Sequence, residues 1–435
     1  MLIPARRQLL LAGLLVAASL VVPVVPTGLA LWLGITALAL VVAATDAVRA
    51  LRLPPPAVRR LVPGSLPLGV AHDIAIRLAN PTRRAVTVEV HDHYPAGVDV
   101  QGQPQTVSVP AGGWVEVRYR LRPVRRGEIA FAQVEARIAS PLGLWQVRRR
   151  LGEGSTARVY PNFAELTRFA LLATDHRLAQ IGILQRRRRG EGLDFHQLRD
   201  YREGDVPRQI DWKATARTHR LISREYQDER DQQVLLLIDC GRRMAAHDGE
   251  LSHFDHVLNA ALLLAYVGLR QGDAVGVLTV SGGARWIAPR KGRSAINRIL
   301  SHLYDLQPTL ATTDFYAAAV ELIRRVRKRA LVVILSNLRD EDEETLAPAL
   351  RALRSRHLVL FASLREVVLS RALVTPVQTI DQALTHAAAA EYLQSRELVL
   401  RRLESAGAVC VDVEPDRLPT VLVNRYLDIK RSSRL

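Results

Sequence analysis

The residue in this chain best placed to do chemistry is a carboxylate at the end of an apolar run. Val234-Leu235-Leu236-Leu237-Ile238 ends at Asp239, and a continuous run of this kind reads as a strand buried on both faces of a parallel sheet. In such sheets ligands gather beyond the C-terminal ends of the strands. A hard cation such as magnesium would want several oxygens there in octahedral geometry. Thr313-Asp314 and Ser336-Asn337 offer further oxygens. The residues directly after Asp239 do not, because Cys240-Gly241-Arg242-Arg243 supplies a bare backbone and two cations. The reading is a site that takes no metal and no cofactor. A guanidinium can bridge two carboxylates through its fork of donors, so Arg243 is expected to neutralise Asp239 together with Asp314.

Three other groupings invite chemistry. His91 and His93 would share one face of a strand, as metal ligands do, but no third ligand accompanies them and they read as solvated. Arg186-Arg187-Arg188-Arg189 has no aromatic residues interleaved on which bases could stack. It reads as a solvated loop or one facing anionic lipid, and nucleic acid is not expected as a partner. The stretch from Gly190 to Glu229 mixes carboxylates and arginines around a few anchors. Arg199, Asp200, Arg208, Asp211 and Arg217 suggest an ion-pair network, and Gly204 a permissive turn. Asp205 suggests the cap of a helix with Pro207 in its first turn, and Trp212 an apolar anchor. No nucleophile with an evident base stands out, and no G-x-x-x-x-G-K-[ST] occurs, so any ATP chemistry must come from elsewhere. These features point to binding and not to an enzyme.

Charge and hydropathy indicate what positions these groups. The formal charge of +17 attracts phosphates, of nucleic acid or of anionic lipid. From Gln8 to Thr45 no residue is charged, about twice the length one bilayer crossing needs. Pro23, Pro26 and Gly28 divide that stretch into two spans, Leu9–Val22 and Leu29–Ala44. Arg6 and Arg7 precede them and Arg49, Arg52, Arg59 and Arg60 follow, which predicts both ends in the cytoplasm of a cell whose plasma membrane holds the hairpin. Cys240 and Cys410 cannot found a disulfide framework, which suits a reducing compartment.

Past Pro54-Pro55-Pro56 the period becomes two: Ile74, Ile76 and Leu78, then Val86, Val88 and Val90, then Val115, Val117, Tyr119 and Leu121 alternate with polar residues. This is the pattern of half-buried antiparallel strands in a sandwich. From Gln233 strands and helices alternate, which implies a parallel sheet covered on both faces. Helices are expected over Phe254–Arg270 (capped by Ser252 with Asp255), Ser294–Tyr304, Asp314–Val326 and Asp342–Arg356. A long helix ending near Ala406 and a last one over Pro419–Ile429 complete the series.

The signature stretch resembles the hallmark of a bacterial family catalogued as domain of unknown function 58. The resemblance is carried by Leu198-Arg199-Asp200-Tyr201, Gly204-Asp205 with Pro207-Arg208, Ile210-Asp211-Trp212-Lys213, Ala216-Arg217 and Arg224-Glu225. Ser140-Pro141-Leu142-Gly143-Leu144 looks like the family's turn in its sandwich domain. The resemblance implies a transmembrane helical hairpin over 1–53 and a β-sandwich over 54–161. It further implies the signature segment over 162–232 and a von Willebrand A-like α/β domain over 233–435. In von Willebrand A domains the strand-end metal site is built as Asp-x-Ser-x-Ser with a distal Thr and a distal Asp. Here Gly241 and Arg243 stand at the serine positions, Thr313 at the threonine and Asn337 at the distal aspartate, so the site is degenerate. The resemblance also implies a MoxR-type AAA+ ATPase as partner, alongside membrane lipid, and adaptor work in envelope-associated assembly or chaperoning. The alternatives are a metal-dependent hydrolase at the membrane and a membrane-tethered nucleic-acid binder using Arg186–Arg189.

Overall fold

The computed structural model describes residues 1–435 except 21, 23–27, 163–193, 203–204, 206, 228–231, 340–341 and 433–435. The four-arginine run and Gly204 lie outside the described residues. Two compact units emerge, Met1–Tyr160 and Pro161–Leu435.

In the first unit β1 (Leu2–Pro4) leads into α1 (Arg6–Ser19) and α2 (Gly28–Arg52). α2 has 25 residues and is long and apolar enough to cross a membrane. α1 has 14, fewer than the roughly 20 that a span needs. The Trp32 indole donates to the Leu15 carbonyl (2.9 Å) and joins the two helices.

Period-two sequence then makes strands β2 (Ala57–Leu61), β3 (Ser65–Pro67), β4 (His72–Ala79), β5 (Val86–Asp92), β6 (Val98–Gln101) and β7 (Gln105–Val109). It continues with β8 (Trp114–Pro123), β9 (Gly127–Phe131), β10 (Val134–Ala139), β11 (Trp145–Leu151) and β12 (Ser155–Tyr160). They form sheets ordered β1-β11-β10-β5-β7, β2-β4-β8-β6 and β3-β12-β9. Ile74, Ile76 and Leu78 face inward with Val117, Tyr119 and Leu121, all buried, while Asp73, Arg77, Arg118 and Arg120 face out. Buried Asp92 pins this core: Arg60 donates to it through Nε (2.8 Å) and Nη2, and the Tyr119 hydroxyl donates at 2.7 Å.

The last turns of α2 join the sandwich through Asp46, which is fully buried. Its carboxylate accepts from Ser140 Oγ (2.5 Å), Leu142 N (3.0 Å) and Leu144 N (3.4 Å). The Trp145 indole donates to the Ala43 carbonyl (2.8 Å). The Ser140–Leu144 turn is thus a seat for the end of the apolar helix.

The second unit begins, among the described residues, with the hairpin β13 (Asp194–Asp200) and β14 (Ile222–Gln227), with α3 (Trp212–Thr218) between them. Then come β15 (Gln233–Asp239), the two-residue pair β16 (His247–Asp248) and β17 (Leu251–Ser252), and α4 (His253–Arg270). Ser252 and Asp255 close a reciprocal capping box at the start of α4. β18 (Ala274–Val280), β19 (Trp286–Arg290), α5 (Arg293–Leu303), α6 (Phe315–Arg325), β20 (Leu331–Ser336), α7 (Glu343–Arg354) and β21 (Leu358–Leu364) follow. α8 (Val367–Val374), α9 (Ile380–Ser405), β22 (Val409–Val413) and α10 (Leu418–Arg431) close the chain.

The sheet order is β19-β18-β15-β20-β21-β22, parallel except for β19. Side chains of β15 alternate between two cores. Val234, Leu236 and Ile238 pack with α4 and α10, and Leu235 and Leu237 with α6 and α7. Each fully buried leucine contributes roughly 1.5–3 kcal/mol. Gly276 permits the β18–β19 bulge, since a Cβ there would lie 2.9 Å from Ile287 O and Pro289 N.

The long helix expected to end near Ala406 is α9, which ends at Ser405, and the short α8 precedes it. Thr375 before Pro376 is extended (φ −69°, ψ 127°), because a proline ring disfavours the helical conformation in the residue before it. Asp205 is held by Arg199, which donates to both of its oxygens (2.7 and 2.7 Å), and Asp211 caps α3, accepting from Lys213 N and Ala214 N.

Candidate functional site

Topology fixes where a site can form. β15 and β20 are neighbours, yet the chain leaves β15 toward β18 on the other side, so the crevice at their C-terminal ends is a switch point. Asp239 ends β15 and Ser336 ends β20, with Ile238 opposite Leu335 in register.

Asp239 is wholly buried, and its carboxylate is already satisfied. Oδ1 accepts from Thr313 Oγ1 (2.5 Å) and Gly241 N (2.8 Å), and Oδ2 accepts from Ser336 Oγ (2.5 Å). Gly241 is needed for this closure. A Cβ there would collide with Thr313 Oγ1 and lie 3.0 Å from Asp239 Oδ1 and Ala311 O. The arrangement does not fit a divalent cation, because positions 241 and 243 bring no oxygen and the two hydroxyls point their protons at Asp239.

Arg243 is buried in the same crevice, but its partner is not the expected one. It ion-pairs with Asp342, whose side chain is also buried, and donates to the Asn337 carbonyl (3.2 Å). Burial raises the Asp342 carboxyl above its ordinary range, although Arg243 opposes the shift. Asp314 is exposed and caps α6 by accepting from Ala317 N (2.9 Å), so local helix capping removes it from the crevice. The proposed bridge from Arg243 to Asp239 and Asp314 is therefore replaced by a pair with Asp342.

A second buried guanidinium was not anticipated. Arg396 of α9 donates to Asp412 (Nη2, 2.7 Å), Ser363 Oγ (2.5 Å) and Asn337 Oδ1 (3.1 Å). Asn337 Nδ2 in turn donates to Glu366 Oε1 (2.8 Å). The amide at 337 uses both of its polar ends, which an aspartate could not do. A signal for Arg396 existed: it lies three and seven residues before buried Val399 and Leu403, on the apolar face of its helix. Asp342 gave none, because an aspartate before a helix reads as a cap.

Among the described residues, the signature shows two ion pairs and a group without a salt bridge to another described residue. Arg199 pairs with Asp205, and Arg224 with Asp211 (2.9 Å), the Arg224 side chain being 45% exposed. Hydrogen bonds from Ala214 N and Arg224 hold the Asp211 carboxyl below its ordinary value. The Tyr201 hydroxyl donates to the Asp205 carbonyl (3.0 Å). Asp200 is exposed, as are Arg208, Lys213 and Arg217, so these stand outside a buried network. Glu225 lies in β14 opposite Gln197. Trp212 is 67% exposed, and Leu198 and Leu221 are also exposed. In the sandwich, His91 and His93 do stack edge to face, and His93 pairs with Glu135 (3.0 Å).

Residues 197–374 match the family model described as Protein of unknown function DUF58. This segment is a region of that family. The matched span runs from β13 through α8 and includes Asp239, Arg243, Thr313 and Asn337. An uncharacterized protein of Mycobacterium tuberculosis (strain ATCC 25618 / H37Rv) is 26% identical over 57% of this chain and 82% of its own length. The uncharacterized protein YeaD of Bacillus subtilis (strain 168) is 24% identical over 53% of this chain and 55% of its own. Among solved structures, a FixG-related protein from Vibrio parahaemolyticus is similar over 25% of this chain and 98% of its own, at 11% identity and a TM-score of 0.19.

Proposed function

We infer that this protein is a membrane-anchored interaction module that works as an adaptor for a MoxR-type AAA+ ATPase in envelope-associated assembly or chaperoning. The observation that carries the reading is Trp212. The family signature folds around two ion pairs yet leaves its tryptophan exposed, with Leu198 and Leu221 exposed on the same small unit. Tryptophans of this kind dominate the binding energy of protein interfaces. The strand-end crevice supports the same reading, since Asp239 is held by two hydroxyls and a backbone N–H and the guanidiniums of Arg243 and Arg396 by Asp342 and Asp412, so its buried groups are fixed in advance.

The C-terminal domain is read as von Willebrand A-like. Numbered from β15, its strands run 3-2-1-4-5-6 with the third antiparallel. The N-terminal helices are read as a two-span hairpin with both ends in the cytoplasm. Pairing of Leu2 with Val147 and Ile3 with Gln146 supports the common side, because it holds the start of the chain on the sandwich. Arg6, Arg7, Arg49 and Arg52 flank the apolar helices as the charge rule for cytoplasmic ends asks.

The test is a pull-down of the full chain from native membranes, with and without ATP, comparing wild type with Trp212→Ala. The expected result is nucleotide-dependent recovery of an AAA+ ATPase, lost in the variant while its melting temperature is unchanged. No ATPase in the wild-type eluate, or full recovery with Trp212→Ala, would count against the adaptor reading. A C-terminal reporter found outside the membrane would remove the cytoplasmic placement.

A further inference from the structure

Helices α8 and α9 form a hairpin that buries little of its own tip. α8 has no buried residue, and in α9 the residues from 380 to 388 are exposed except half-buried His386. Burial begins at Ala389 and continues through Arg396, Val399 and Leu403, where α9 lies on the domain. A helix of 26 residues is about 39 Å long, so, among the described residues, roughly its first third projects with only α8 beside it. The tip is well formed. Thr379 and Gln382 make a reciprocal capping box, and His386 Nδ1 contacts the Ala372 carbonyl (3.3 Å).

What the tip exposes is apolar: Val374 at 83%, Val377 at 49%, Ile380 at 81% and Leu384 at 64%. We propose that this hairpin is a self-association arm, through which two copies of the chain pack α8 and α9 against α8 and α9 across Val374, Val377, Ile380 and Leu384.

Charge selects the occupant. Between Ala372 and Ala390 the only Asp, Glu, Lys or Arg is Asp381, in a chain of formal charge +17. Two copies of so basic a chain repel each other over most of their surfaces. They can approach where charge is missing, and the arm is such a place. A helix lying on a membrane carries lysines or arginines on its polar face and often tryptophan. None of these residues occurs from Ala372 to Ala390. An acidic partner protein would likewise find no cations to pair with there. Helical hairpins are, by contrast, ready halves of a four-helix bundle. The apolar area covered by two arms is on the order of 1,000 Å², at the low end of specific interfaces, so the association is weak and reversible.

Both legs of the arm end on Asn337. Glu366, directly before α8, accepts from its Nδ2, and Arg396 of α9 donates to its Oδ1. The arm is therefore fixed at its base before any copy meets another. The proposal stands apart from the adaptor reading and does not need it.

The experiment places a photo-crosslinking amino acid at position 384 of the full chain in native membranes and identifies the products by mass spectrometry. Sedimentation of the unlabelled full chain in detergent is followed over a range of concentrations. The expected product contains two copies of this chain joined between their arms. Wild type is expected to shift from monomer to dimer with concentration. Ile380→Glu with Leu384→Glu should weaken that dimer at least tenfold without altering the melting temperature, since both side chains are exposed. Ile380→Gln with Leu384→Gln gives the same result without adding charge. Crosslinks only to lipid or only to other proteins, a monomer at every concentration, or dimers that persist in both double variants would each overturn the proposal.

Discussion

Removing the Arg243 guanidinium is the sharpest perturbation of the strand-end crevice. The side chains of Arg243 and Asp342 are 7% and 4% exposed. At a separation of about 3 Å and an effective dielectric near 20, their attraction is about 5–6 kcal/mol. Much of that offsets the desolvation of both ions, but Arg243→Ala would leave Asp342 buried and alone. Breaking a buried pair this way costs about 3–5 kcal/mol. The cost must depend on pH, and its sign follows from Asp342. Burial already raises this carboxyl in the folded chain. Folding therefore favours the protonated acid, and stability falls as pH rises from the unfolded value through the folded one. Without Arg243 the folded value climbs further. The deficit of Arg243→Ala should be larger at about pH 8 than at about pH 5, and Asp342→Asn in the same chain should recover part of it. Thermal unfolding of the full chain in detergent at the two pH values measures this. A variant within about 0.5 kcal/mol of wild type, or a deficit equal at both pH values, would refute the reasoning.

Three further outcomes are expected. Gly241→Ser, alone or with Arg243→Ser, lowers the melting temperature and creates no magnesium site, because the new Cβ meets Thr313 and the Asp239 carboxylate; calorimetric magnesium binding at an unchanged melting temperature would contradict this. Asp46→Ala frees two backbone donors in the turn it seats, so amide exchange at Leu142 and Leu144 accelerates at least tenfold, and unchanged exchange would show the seat to be idle. Glu135 is pushed up by burial but held down at about 2 by Arg148 and His93, against an ordinary value of 4.5. Its contribution is complete above pH 4.5 and fades as pH falls toward 2, on the order of 2 kcal/mol given half-exposed partners. Glu135→Gln should flatten that acid limb of the stability curve.

What the sequence disclosed were features set by near neighbours. The run ending in Asp239, the Ser252 cap of α4 and the alternation of Ile74, Ile76 and Leu78 depend on spacings of two to seven residues. Thr313 and Asn337 could be placed because strand ends converge in any open parallel sheet. Pairings between distant segments stayed hidden. Nothing local distinguishes Asp342 as the partner of Arg243 from Asp239 or Asp314. Leu2–Pro4 is too short to show a period, and its partner lies in β11. Trp212 misled because size argues for burial, and only the folded signature shows its ring left outside.

The pairing of β1 with β11 constrains how the protein can be made. Leu2–Pro4 leaves the ribosome before both apolar helices, and the strand that completes it leaves long after them. The sandwich therefore cannot finish folding until those helices have settled. A chain that left its first residues on the opposite side of the bilayer from residues 145–147 would present β11 with an open edge. Open edges recruit other strands and invite aggregation. On the two-span reading, completion of this sheet thus acts as a checkpoint in biogenesis, distinguishing chains whose two ends share one side of the membrane from chains whose ends are split across it, by three backbone pairs.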